Sequence, residues 1–447
     1  MGFESFVAKR YLKSPASEKS ISLITGISVF GVALGVMTLI IVLGVMNGFE
    51  KDLKGALQGA NGHLSLTSIG SISWEGDNDP AFDALKNHPD VLALSPYTTS
   101  QALIMGPFKP VGALVKGIQI DTEPKVSELY HFLRSHGFEV KRDNRKGKSA
   151  LSEKEIKKAQ GILNSLRPHR REVTNQAGET QNKRVTGIIL GSQLARNLGA
   201  EIGSFVTLVT PKERATAFGP LPRAKKFYVV GFYESGLMGY DEALALVDLE
   251  IAQKLEQAPG QISGLTLRLK NGADSEDVKA SLKKHYPFPY HLVSWKDQNK
   301  NLFAMFQLEK MGLAIVLTLI ILIAAFNIIS SLVILVMEKK KDIAILKAMG
   351  AKDSSIQWIF FRQGAVIGLA GTLVGEILGI LVCFIIQNFD VIDVPAGVYV
   401  GNRIPMHVEY WQLGLIAFVS LVICFTVTLF PARKAASTDP VAALRSE

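Results

Sequence analysis

The sequence predicts an α-helical membrane protein with four transmembrane helices and a large outer domain of α/β (α+β) type inserted between helices 1 and 2. Three observations carry this. Four apolar runs, Ile21 to Met46, Met311 to Met337, Gln363 to Ile386 and Gln412 to Phe430, each have about the 20 residues that cover a bilayer. A mean hydropathy of +0.22 with 48% hydrophobic residues belongs to a membrane protein. Between the first two runs, short alternating apolar segments are interleaved with helical ones, the pattern of a mixed α/β layer.

The first run carries no charge and is too long for the apolar region of a signal peptide. Asn47-Gly48-Phe49-Glu50 follows it instead of a small-residue cleavage site, so it reads as a retained anchor. Orientation follows from the short flanks. Lys9, Arg10, Lys13 and Lys19 precede span 1, Lys339, Lys340, Lys341, Lys347 and Lys352 separate spans 2 and 3, and Arg433, Lys434 and Arg445 follow span 4. Four crossings put all of these on one, cytoplasmic, side. The expected layout is then a cytoplasmic segment 1–20, span 21–46, outer domain 47–310, span 311–337 and cytoplasmic helix 338–352. A third span with its lead-in at 353–386, an outer loop 387–411, a span 412–430 and a cytoplasmic tail 431–447 complete it.

Within the outer domain Glu50 to Gln58 continues helically until Gly59. Strands are expected at 63–67, 92–98, 101–105 and 112–118, the last two as a hairpin around Gly106-Pro107, with a helix at 80–88. Residues 123–185 read as a basic insertion. It holds a helix at 126–136, a polar helix at 152–166 with an Ile156, Ile162, Leu163 stripe, and a polar, turn-rich, partly disordered stretch 167–184. The core resumes with a strand at 186–190, a helix at 192–198 and a strand at 204–210. A long Pro/Gly loop, 211–223, leads to a strand at 226–233. Elements at 243–247, 249–257, 265–270, 275–286 and 291–295 follow, and 296–310 leads helically into span 2.

Chemistry-bearing motifs are few. Lys146-Gly147-Lys148-Ser149 is not a phosphate loop, because Arg142 stands where its first glycine belongs and no strand precedes it. Nucleotide-driven work must come from a partner. The net charge of +9 is local: residues 141–185 hold thirteen Lys or Arg against five Asp or Glu, which argues against nucleic-acid binding. The eight histidines show no zincin spacing, no Ser/His/Asp set stands out, no metal site is expected, and Cys383 and Cys424 both fall in spans. Gly31 and Gly35 in span 1 and Gly364, Gly368, Gly371, Gly375 and Gly379 in span 3 recur every three or four residues, as helix-packing faces do. Glu376 near the middle of span 3 is costly there and should face the bundle or a polar cavity, either as a gating residue or as a protonated acid bonded to a neighbouring helix. Residues 337–352, MEKKKDIAILKAMGAK, read either as a basic turn that fixes topology or as a short amphipathic docking helix with Ile343, Ile345, Leu346 and Met349 on its apolar face.

One span, a large outer domain and three further spans resemble the MacB/FtsX-type permease superfamily of ABC transporters. Leu34-Gly35-Val36-Met37, Val45-Met46-Asn47-Gly48-Phe49-Glu50, Ala324-Ala325-Phe326-Asn327-Ile328-Ile329, Val336-Met337-Glu338-Lys339, Ala344-Ile345-Leu346 and the tail from Phe430-Pro431-Ala432 to Pro440-Val441-Ala442-Ala443-Leu444-Arg445 look like the LolC/LolE lipoprotein-releasing subunits. Ile189-Leu190-Gly191 with Leu194-Ala195 and Leu198-Gly199 is similar too. The resemblance covers the chain except about 123–185.

It implies a non-catalytic permease in the bacterial inner membrane, its outer domain in the periplasm, paired with a second LolC/LolE-type subunit or a copy of itself. Two copies of a LolD-type ATPase would supply ATP and Mg chemistry, since no cofactor is bound by this chain. Lipoproteins would leave the membrane lipids for a LolA-type carrier. The resemblance makes Glu338, Lys339, Asp342, Ile343, Ile345, Leu346, Met349 and Gly350 the ATPase-coupling helix, and Met46, Asn47, Phe49, Phe326 and Asn327 the lining of the lipoprotein cavity. Pro211, Phe218, Gly219, Pro220, Leu221 and Pro222 become the carrier-binding loop. The basic insertion and Glu376 depart from the family pattern. Competing readings are a signalling subunit of the FtsX kind, which relays ATPase motion to a periplasmic partner and has no use for a carrier loop, and an efflux permease of the MacB kind. An intramembrane enzyme built on Glu376 lacks a second catalytic group at matching depth.

Overall fold

A computed structural model describes residues 19–76, 79–135, 138–139, 151–174, 180–216, 219–389 and 404–437. The chain divides into two compact units, one of residues 1–51, 304–393 and 404–447, the other of residues 52–303 and 394–403. Helix α1 (Lys19–Asn61) belongs to both. It passes Gly59 rather than stopping there, because one glycine costs a helix only about 1 kcal/mol. Gly62, at φ 68°, supplies the left-handed residue that ends it.

In the outer unit the chain runs through β1 (Leu64–Ser73), a 3-10 turn (Pro80–Phe82), α2 (Asp83–Lys86), β2 (Val91–Met105), β3 (Pro110–Ile118), α3 (Glu123–Val126) and α4 (Leu129–Phe132). Next come β4 (Leu133–Ser135), β5 (Phe138–Glu139), α5 (Glu153–Asn164), β6 (His169–Thr174), β7 (Thr180–Val185), β8 (Gly187–Gly191) and α6 (Ser192–Leu198). The long strands β9 (Phe205–Thr216) and β10 (Gly219–Tyr233) precede α7 (Met238–Ala243), β11 (Leu244–Asp248) and α8 (Leu249–Leu255). β12 (Gln261–Leu269), α9 (Ser275–Leu282), β13 (Tyr290–Ser294) and α10 (Trp295–Gln298) complete it.

Eleven strands share one mixed sheet in the order β13-β1-β12-β2-β3-β11-β8-β10-β4-β5, with β9 beside both β10 and β2. Because β9 touches both, the strands β2, β3, β11, β8, β10 and β9 close a circuit. One core fills this part: Ile104, Val115, Ile188, Leu190, Leu208, Phe227 and Val229 meet Leu194 and Leu198 of α6 and Ile251 of α8. A second core lies under β1 and β12, where Leu64, Leu66, Leu265 and Leu267 meet Trp74, Phe82, Leu282 and Tyr286. Burying each such side chain is worth about 1.5–3 kcal/mol. Two cores on one sheet make the mixed domain expected from the sequence.

Four further local expectations fail for physical reasons. β2 is one strand, since Thr99 and Ser100 continue the ladder opposite Lys116 and Val115. The helix expected over 126–136 breaks into α3 and α4, because Ser127 is extended and Glu128 N–H turns to donate to Gly59 C=O at 2.7 Å. The stretch 167–184 contains the antiparallel pair β6–β7, whose alternation is hidden because both faces carry charge. The loop expected at 211–223 is mostly strand: Glu213 pairs with Pro222 and Ala215 with Pro220. Two prolines spaced by two can both turn their missing N–H positions away from the partner strand, so the ladder tolerates them.

In the membrane unit, α11 (Lys300–Glu338), α12 (Lys340–Ala348), α13 (Asp353–Asn388) and α14 (Tyr410–Ala436) follow. Among the described residues α1, α11, α13 and α14 are long and apolar enough to cross a membrane. Val32, Val36 and Ile40 of α1 pack with Ile328 and Leu332 of α11, Ile359, Phe360 and Ile367 of α13, and Ile416 and Cys424 of α14. Glycine makes this close. A Cβ at Gly375 would lie 2.6 Å from Ala33 O, one at Gly371 2.7 Å from Val32 Cβ, and one at Gly368 2.7 Å from Cys424 Cβ. Polar links cross the bundle where Ser28 Oγ donates to Ser331 Oγ at 2.9 Å and where Thr372 and Ser420 share a bond at 3.0 Å.

Candidate functional site

Helix α12 is set between α11 and α13 by two sharp corners. Lys339 interrupts the helix after Glu338, and a reversed turn ends α12: Gly350 N–H donates to Lys347 C=O at 2.9 Å and Ala351 N–H to Leu346 C=O at 3.0 Å. This closure needs a left-handed residue after the helix, and Gly350 provides it at φ 97°. Lys347 is no loose cation. Its Nζ pairs with Asp353 at 2.8 Å and also donates to Ala436 C=O, fastening α12 to the start of α13 and the end of α14.

The apolar residues of α12 divide between two faces. Ile343, 1% exposed, and Ala344 enter the bundle core, and Leu346 packs against that core half-buried. Ile345 is 49% exposed and Met349 79%, and with Glu338, Lys341 and Ala348 they make an outward stripe. Lys339 pairs loosely with Asp342 at 3.9 Å. Of the candidate coupling residues, Ile345, Met349, Glu338 and Gly350 are therefore available to a partner, and Ile343 is a core residue.

The five residues assigned to a lipoprotein cavity do not come together. Asn47 is only 6% exposed, and its Nδ2 donates to Gln412 Oε1 at 2.7 Å. Phe49 is half-buried and meets Phe306 edge to face at 5.6 Å, beside the Glu50–Lys310 ion pair. Met46 is half-buried, and Gly48 presses against the Pro405 backbone. Phe326 and Asn327 instead lie on α11 at the level of Gly31. Eighteen residues of α1 separate Gly31 from Phe49, about 27 Å of helix. Phe326 is exposed on the outer surface of this single subunit.

The carrier-loop residues sit on the β9–β10 hairpin. Pro211 and Pro222 are exposed, the backbones of Gly219, Pro220 and Leu221 pair with Thr216, Ala215 and Arg214, and Phe218 lies outside the described residues. Of the packing glycines, Gly368, Gly371, Gly375 and Gly379 touch neighbouring helices closely, whereas a Cβ at Gly31 or Gly35 would find 3.7 Å of room. Glu376 is half-buried, and among the described residues nothing hydrogen-bonds to it.

The sequence reading missed a polar cavity of about 180 Å³ in the outer unit, lined by Asn61, Tyr97, Lys116, Glu123 and Tyr240. Lys116 Nζ bonds Glu123 Oε1 at 2.8 Å. Burial alone would lower the Lys116 ammonium, but the Glu123 carboxylate more than offsets this and holds it above the usual lysine range. Its members are scattered along the chain, which is why no motif announced it.

The chain is 34% identical over 453 residues to the lipoprotein-releasing system transmembrane protein LolC of Neisseria meningitidis serogroup B, with 99% of each chain covered. It is 31% identical to LolC of Xylella fastidiosa Temecula1, covering 99% of this chain and 98% of the relative, and 25% identical to LolE of Haemophilus influenzae, with 99% of each covered. The chain belongs to the LolC/LolE family. Residues 25–285 match the MacB-like periplasmic core domain and residues 314–440 the FtsX-like permease C-terminal family. The two matches fall on the outer unit with its leading helix and on the three later helices, so this LolC/LolE-family chain is a multi-pass membrane permease with a MacB-like outer domain.

Proposed function

We propose that the chain is the permease subunit of an ABC transporter that extracts lipoproteins from the inner membrane and passes them to a periplasmic carrier. The observation that carries this reading is the end-to-end match to LolC relatives, 34% identical over 99% of both chains. A separate ATPase, in two copies and using ATP with Mg, drives the cycle. A second LolC/LolE-type subunit or a second copy of this chain completes the membrane part.

The physics supports each assignment. The chain has no phosphate loop of its own, so an engine must dock. The outward stripe of α12, with Ile345 and Met349 beside lysines, suits insertion into a groove of that engine. Lys347 and Ile343 then tie any displacement of α12 to α13, α14 and the bundle core. An engine is needed because each lipid CH2 drawn out of hydrocarbon costs about 0.8 kcal/mol until the carrier reburies it. The β9–β10 hairpin carries Pro220 and Pro222 in its ladder, Pro222 exposed, and their fixed φ lowers the entropy lost when a partner docks.

Depletion of the protein followed by membrane fractionation tests this. Lipoproteins retained in the inner membrane support it, whereas normal sorting with altered cell-wall cleavage refutes it in favour of a signalling subunit.

A further inference from the structure

β6 and β7 form a ribbon of their own, pairing with each other and with no other described strand. A lone two-stranded ribbon is marginally stable in water. Its register makes matters worse by setting Arg170 opposite Arg184 and Arg171 opposite Lys183. Directly opposed side chains start about 5 Å apart, where like charges destabilise the pair. All four are exposed, and among the described residues none of them forms an ion pair. Arg171 alone finds a partner, lying over the Tyr228 ring 4.6 Å from its centroid.

We propose that this ribbon is a contact surface for the anionic phosphate headgroups of the membrane that anchors the chain. Three features favour lipid over an acidic protein. Protein interfaces have apolar or aromatic centres. The ribbon offers only Val173 and Val185 as apolar residues, and Val185 is buried. Second, alternation places Arg170 and Arg184 on one face and Arg171 and Lys183 on the other. The Arg170 and Arg184 face lies opposite the one that Arg171 turns to Tyr228, and two adjacent cations without a shaped pocket suit mobile phosphates better than one shaped ligand. Third, the outer domain is joined at both ends to helices that cross the membrane, so headgroups are present at high effective concentration and weak contacts suffice. This inference needs the membrane anchoring and is independent of lipoprotein release.

Hydrogen exchange on the full-length protein in nanodiscs tests it, comparing phosphatidylcholine alone with phosphatidylcholine mixed with phosphatidylglycerol. Ribbon amides between Arg170 and Arg184 should exchange about tenfold more slowly in the anionic discs. High salt, or the double substitution Arg170→Gln with Arg184→Gln, should abolish the difference. In phosphatidylcholine the same variant should exchange more slowly than the parent, because the rung repulsion is gone. Equal exchange in the two discs overturns the proposal. So does protection by soluble poly-aspartate in phosphatidylcholine that matches the anionic lipid, which would assign the ribbon to an acidic protein.

Discussion

At the scale of single residues, two sets of glycines that look alike in sequence behave differently. Both Gly31 and Gly375 belong to runs with a four-residue repeat, yet only Gly375 has backbone within 3 Å of where a methyl would go. Gly375→Ala must push α13 away from α1, and overpacking of this kind costs about 1–3 kcal/mol. Gly31→Ala meets nothing closer than 3.7 Å and should stay within about 0.5 kcal/mol of the parent. Thermal unfolding of the purified protein in detergent checks both, and equal losses would contradict the contact map. The repeat was legible in the sequence because small residues four apart can only be a packing face. Which glycines touch was not, since that depends on the facing helix. Asn47 tells the same story: its motif was recognisable, but its partner Gln412 is 365 residues away.

At the scale of elements, α12 shows what an amphipathic pattern conceals. The burst of charge between two apolar runs located the helix and its corners, and Gly350 announced its end. Hydrophobic spacing alone put Ile343, Ile345, Leu346 and Met349 on one docking face, whereas the structure sends Ile343 into the bundle and leaves Ile345 outside. The two sites therefore make a controlled pair. Ile343→Asp buries an uncompensated charge and should cost about 3–5 kcal/mol, showing up as lost expression and a lower Tm. On the proposed reading, Ile345→Asp or Met349→Asp should leave the Tm alone and reduce co-purification of the partner ATPase by about tenfold, the scale of losing one good apolar anchor. The hairpins were harder to read. In β9–β10 prolines imitated a loop, and in β6–β7 charge on both faces erased the alternation that marks a half-buried strand.

At the scale of the whole molecule, the order of units was plain in the sequence, because long uncharged runs and basic flanks leave few alternatives in a bilayer. The closed strand circuit was not, as β2, β9 and β10 are brought together by pairings that no local pattern specifies. On the proposed reading the two ends of the cycle are separable. The outward face of α12 meets the engine, and the β9–β10 hairpin meets the carrier. Replacing residues 212–221 by a short glycine turn should leave complex assembly and ATP hydrolysis within about twofold of the parent, since the described core residues of these strands, Val206, Leu208, Phe227 and Val229, lie outside the deleted segment. Release of a reconstituted lipoprotein to the carrier should fall by about tenfold or more, as expected when an interface loses its central anchor. The Ile345→Asp variant should instead lose hydrolysis coupling and release together. If the shortened hairpin releases lipoprotein at the parent rate, the carrier docks elsewhere on the domain. If it also abolishes hydrolysis, the two partners do not act on independent sites.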